Sequence, residues 1–131
     1  MNKFNSVVIV ALVSFAFFSV PVVYAGAPDV YVVYLAKDKK LGKSVALAIA
    51  NMLPESSRVK SYNATILLVS DYSGKQKTAA RLSKAKLVVF VKGRHSPAEV
   101  LDSNDFDNLV QVQSISDEDL AKVRENFQGI E

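Results

Sequence analysis

The sequence holds no cysteine and a single histidine, His95, in 131 residues. The first absence excludes disulfides, thiolate metal sites and a lipid-modified cysteine at a leader junction. Stability must therefore come from packing. The second absence excludes a metal site built on two histidines and leaves a serine hydrolase only this residue as its base. His95 has no acid and nucleophile placed around it in the sequence, so it reads as a loop residue, and Ser96 beside it reads as a helix cap. Internal repeats, low-complexity tracts and linkers are also missing.

The amino-terminal residues are a different matter. A short polar start with Lys3 precedes an apolar run from Val7 to Val20, interrupted only by Ser14 and Ser19. Pro21 comes next, and the small residue Ala25 stands after Val23 and Tyr24. This is the pattern of a cleavable secretory signal peptide over residues 1–25, with the mature chain starting at Gly26. A retained anchor is the competing reading, since a bilayer needs roughly 20 apolar residues, but Pro21 and the cleavage pattern argue against it. The expected location is the bacterial periplasm or the exterior, with no stable membrane insertion after cleavage. Residues 26–131 have the length of one domain with one core.

Apolar runs of strand length alternate with helical patterns in that domain. Residues 30–36 (VYVVYLA) and 87–91 (LVVFV) are apolar on both parities, as strands buried on both faces are. Residues 64–70 (ATILLVS) read as another buried strand, 109–112 as a modest one, and the polar 58–62 (RVKSY) as a short edge strand or a loop. A helical stripe runs from Lys39 to Leu53 and ends at Pro54. Further helices are expected at about 75–84, after the Ser96-Pro97-Ala98-Glu99 capping box, and from Ser116 until Gly129. The fold class is α/β: a small three-layer sandwich with a mainly parallel sheet of four or five strands and helices on both faces. Val32, Leu35, Ile49, Leu67, Val69, Val88, Phe90 and Leu120 are the expected core.

Charge is segregated along the chain. Residues 37–94 hold thirteen Lys and Arg against three acids, whereas 95–131 hold two against nine. The sum is close to neutral, which argues against nucleic acid as a partner. Ligands of parallel α/β sheets bind beyond the carboxyl ends of the strands, and three basic loops are expected there, each leading into a helix amino terminus that attracts anions. They bring together Lys37, Lys39 and Lys40; Ser73 and Lys75; and Lys92, Arg94 and His95 as candidate ligand- or partner-binding residues. Gly74 and Gly93 would let backbone approach a ligand.

Other signals are weaker. Leu41-Gly42-Lys43-Ser44 matches only the end of a phosphate-binding loop, because Lys37 stands where that motif needs glycine. Ser73-Gly74 lacks the hydroxyl-rich surroundings of a flavin phosphate loop. Asp38 and Asp71 fit a cation site or a carboxylate pair, and equally turn and cap roles. Asn63-Ala64-Thr65 spells a glycosylation acceptor. With no credible catalytic set and no cofactor expected, the sequence suggests an exported noncatalytic accessory protein that binds another macromolecule, most simply a protein. Inhibitor, immunity, secretion, pilus and sensory components are examples. The alternative is a module for an anionic small molecule, similar at fold level to one lobe of a periplasmic solute-binding protein.

Overall fold

The computed structural model describes residues 26–130. The expected leader and its cleavage point lie outside the described residues. Among those described, no helix is long and apolar enough to cross a membrane.

Four strands form one all-parallel sheet in the order β2-β1-β3-β4: β1 is Val30–Tyr34, β2 Val59–Asn63, β3 Leu87–Val91 and β4 Leu109–Val112. The α/β sandwich expected from the alternation of patterns is therefore the observed fold. Every residue of β1 and β3 is buried, which is why their sequences are apolar on both parities. The polar segment before Asn63 is indeed a strand, and its polarity results from its place at the sheet edge.

Alternate residues of the central strands feed two cores. Val30, Val32, Tyr34, Leu87, Val89 and Val91 pack against helices α1 (Lys39–Met52) and α3 (Asp117–Gln128), through Val45, Ile49 and Val123. Tyr31, Val33, Val88 and Phe90 pack on the other face against α2 (Tyr72–Leu82) and residues 100–106. The chain moves in one direction along the sheet from β1 to β2 and reverses from β2 to β3. With crossovers of one hand, that reversal places α1 and α2 on opposite faces. Phe90 and Phe106 meet edge to face, with ring centroids 5.5 Å apart.

One expected strand is absent. Residues Ala64–Val69 form a 3-10 helix in place of a buried strand. Ala64 and Leu67 point into the core, whereas Val69, expected to be buried, is 87% exposed. The reason is local. The Asn63 Oδ1 accepts from the Thr65 N–H at 3.0 Å and from the Thr65 hydroxyl at 2.6 Å, so the chain turns as soon as β2 ends. Leu120, also expected in the core, is only half-buried at its margin. The remaining expected core residues are buried.

Candidate functional site at the carboxyl rim of the sheet

The sheet order reverses between β1 and β3, so the crevice beyond their carboxyl ends is the place where folds of this kind bind ligands. On the β1 side a 3-10 turn, Ala36–Asp38, runs directly into α1, with the Lys39 N–H donating to the Ala36 carbonyl. The helical start is thus moved back to Ala36, whose N–H donates to the Thr65 hydroxyl at 2.6 Å. That bond ties the first loop to the 3-10 helix after β2. It also takes up a donor that an anion at a free helix terminus would use.

Asp38 forms the floor of the crevice. It is 6% exposed and is the one buried charged residue among those described. Its carboxylate accepts from the Arg94 N–H at 2.8 Å and the His95 N–H at 3.0 Å. Burial pushes its pKa up, but these two N–H bonds and the charge of His95 outweigh burial and hold the pKa below the ordinary carboxylate value. Asp38 is a clamp for the loop after β3.

The expected cations do not form one pocket. Lys37, Lys40 and Arg94 surround Asp38, with Leu41 and Ser44, in an open hollow of about 400 Å³. Lys75 lines a separate hollow of about 380 Å³ with Tyr72, Gln76 and residues 98–105. The strand expected to carry residues 70–75 is a 3-10 helix, and that segment is mainly the first turn of α2, which displaces it from the crevice. Lys39, Lys92 and Ser73 are exposed and line neither hollow. His95 turns toward Glu99, with Nδ1 and Oε2 3.4 Å apart. Ser96 and Glu99 complete the expected capping box.

Several candidate groups have structural partners. Asp71 caps α2 by accepting from the Gly74 N–H at 2.7 Å, so it does not pair with Asp38. Gly93 faces the Asp38 carboxylate and not a ligand, and a Cβ there would collide with Oδ1. Gly42 lies inside α1 against the ring of Tyr34, where a Cβ would stand 2.5 Å from a ring carbon. The partial phosphate-loop match is therefore a packing contact. Asn63 and Thr65 are bonded to each other, and Thr65 also to Ala36.

A feature invisible in the sequence completes the rim. Ile66, Leu68, Val69 and Tyr72 are 66%, 56%, 87% and 75% exposed. They share the short segment that the Ala36–Thr65 bond ties to the turn carrying Lys37. Read as a strand, this run had to be core; in the structure burial repeats every three residues, with only Ala64 and Leu67 inward, a period that the apolar pattern of the run does not mark. Comparison with family models, curated proteins and solved structures gives no match, so the functional reading rests on the rim itself.

Proposed function

We propose that the chain is an exported, noncatalytic accessory protein of the periplasm or exterior that acts by binding another macromolecule through this rim. The observation that carries the reading is the exposure of Ile66, Leu68, Val69 and Tyr72 in one segment, which the Thr65 hydroxyl ties to Ala36, the neighbour of Lys37. Adjacent exposed apolar side chains are costly in solution and mark interaction sites. The polar groups of the rim support the same reading, because Asp38, Asp71, Ser96 and Glu99 are all engaged in caps and loop clamps. None is left as a nucleophile or base.

The small-anion alternative draws on the three cations around the hollow. Against it stand the Asp38 carboxylate on the floor and the Thr65 hydroxyl on the Ala36 N–H. The two readings separate in one experiment. The protein, Leu68→Glu, and a Lys37→Gln/Lys40→Gln/Arg94→Gln triple variant are used to capture partners by crosslinking in a periplasmic extract, and each identified partner is then titrated with purified components. Parallel melting curves are recorded with phosphate, sulfate and citrate. Loss of the titrated complex in both variants supports the proposal. An anion-induced rise in Tm that only the triple variant abolishes, with no partner sensitive to Leu68→Glu, overturns it in favour of the anion module.

A further inference from the structure

The edge strand β2 presents backbone that the fold does not use. The Arg58 carbonyl accepts from the Val30 N–H at 3.1 Å, and Val30 stands opposite Val59. In a parallel ladder this phase turns the N–H and C=O groups of Lys60 and Tyr62 toward β1 and those of Val59, Ser61 and Asn63 away from it. Asn63 caps the following 3-10 helix and uses its carbonyl there. The N–H and C=O of Val59 and Ser61 and the N–H of Asn63 are left on an open edge, without partners among the described residues. The opposite edge is shorter and partly closed: β4 has four residues, and the outward N–H that follows it, on Gln113, donates to Asp119 Oδ2 at 3.0 Å.

The side chains along β2 differ between its two faces. Tyr62 packs on the core beneath α2, with the Arg81 guanidinium 5.1 Å from its ring centroid, and Lys60 lies on the same face by strand alternation. Val59 packs on the opposite core, beneath α1. Neither β2 nor α2 contains an acid, whereas together they hold Lys60, Lys75, Lys77 and Arg81. Of the acids at their ends, Asp71 caps α2, Asp29 pairs with Lys86, and Glu55 lies in the turn before β2. We propose that β2 is the acceptor edge for an extended acidic segment of a partner protein, which adds to the sheet as a fifth strand. The inference rests on the reading of the chain as a macromolecule-binding protein and deepens it by naming the conformation and charge of what is bound. Acidic side chains at alternate positions of the added strand meet Lys60 and Arg81, and the apolar ones between them lie beside Val59. The exposed segment with Ile66 and Leu68 continues the chain directly from this edge. A second copy is disfavoured as the occupant. A two-fold axis normal to the sheet at Ser61 preserves the faces and pairs β2 with β2, but it sets Lys60 opposite the Tyr62 of the other copy, whose ring already carries Arg81, so like charges gather. An anionic lipid surface supplies charge but no strand for the free backbone groups.

The probe is a fluorescent, end-capped peptide of strand length that alternates valine with glutamate, compared with its valine–lysine counterpart by anisotropy on the purified protein. The glutamate peptide should bind about tenfold more tightly or better, and raised salt should weaken it. Lys60→Glu should reverse the preference. Ser61→Pro removes one outward N–H and no bond of the fold, as an edge strand allows, and should abolish binding of the peptide. Circular dichroism confirms that both variants are folded. Amide exchange read by NMR then gives a signature independent of either variant: the peptide should slow exchange at Val59, Ser61 and Asn63, while Lys60 and Tyr62, bonded to β1, are protected with or without it. Equal binding of the two peptides, binding indifferent to both variants, or protection that does not alternate along β2 overturns the proposal. If the peptide fails while an identified partner still depends on Leu68, strand addition is overturned and the rim reading stands; if the peptide binds at β2 and no partner depends on Leu68, the rim reading falls and the strand site stands.

Discussion

The carboxylate of Asp38 occupies the space into which any side chain at Gly93 would project. One residue ends the helical turn after β1 and the other opens the loop after β3, so their contact joins the two central strands at the rim. Gly93→Ala must displace Asp38 or move the loop, and Asp38→Asn replaces an acceptor oxygen with a donor. Each is expected to destabilise the fold by about 1–3 kcal/mol, as loss of a buried hydrogen-bonded group does. The two effects should be less than additive in the double variant, because both break one clamp. Urea unfolding of the four proteins measures this.

Acid should open the same clamp. Asp38 and Asp119 both titrate below the ordinary 3.8 in the folded chain. In each, burial acts upward and is outweighed, at Asp38 by backbone N–H donors and the charge of His95, at Asp119 by backbone N–H donors, the Ser114 hydroxyl and Lys122. A carboxylate depressed on folding contributes stability above its unfolded pKa, and that contribution is lost as pH falls through the folded pKa. Urea midpoints measured from about pH 6 down to pH 2 should therefore fall. Asp38→Asn should start lower and fall less steeply. A variant whose pH profile parallels that of the parent would remove Asp38 from this role.

Substitutions along the segment after β2 should track burial and not hydrophobicity. Leu67→Ala is expected to cost about 2–5 kcal/mol and Phe90→Ala about 3–5 kcal/mol. Val69→Ala, two residues from Leu67, should change stability by less than about 0.5 kcal/mol. Equal losses at Leu67 and Val69 would restore the strand reading of this segment.

Thr65→Val keeps the shape of the side chain and removes both bonds of its hydroxyl, to Ala36 and to Asn63. A loss of about 1 kcal/mol is expected in thermal melts. The exchange of the Ala36 amide with deuterium should also accelerate. Unchanged exchange at Ala36 would show that the first loop and the 3-10 helix are held together by something else.

Removing exposed charge should leave the fold intact. The triple change of Lys37, Lys40 and Arg94 to Gln is expected to shift unfolding by less than about 1 kcal/mol, because none of the three makes an ion pair among the described residues. Loss of partner binding in that variant can then be read as loss of contact.

How much of the fold is legible in the chain alone depends on how far burial dictates sequence. β1 and β3 are buried on both faces, so only apolar, β-branched and aromatic residues fit, and both strands are plain in the sequence. β2 borders solvent and reads as strand or loop with equal ease. The run Ala64–Val69 misleads because its apolar residues serve two purposes, Ala64 and Leu67 in the core and the others outside. The side-chain turn at Asn63 and Thr65 outweighs the strand preference of Ile66, Leu67, Leu68 and Val69. The site divides in the same way: Lys37, Lys40 and Arg94 sit at the expected rim, while Lys75 is displaced by the missing strand.

The parallel sheet also dictates when the chain can become a protein. Val30 pairs with Val59 on one side and Leu87 on the other, so the first strand to be made must wait for partners that arrive long after it. Until Leu87–Val91 is delivered, an uninterrupted apolar ribbon has no neighbour on one side and neither core can close. Such sequence-distant contacts make for slow folding, and the waiting ribbon is a surface on which unfinished chains adhere to one another. β1 is interior in the finished sheet yet incomplete until β3 arrives, which gives a chaperone reason to hold this strand in the unfinished chain.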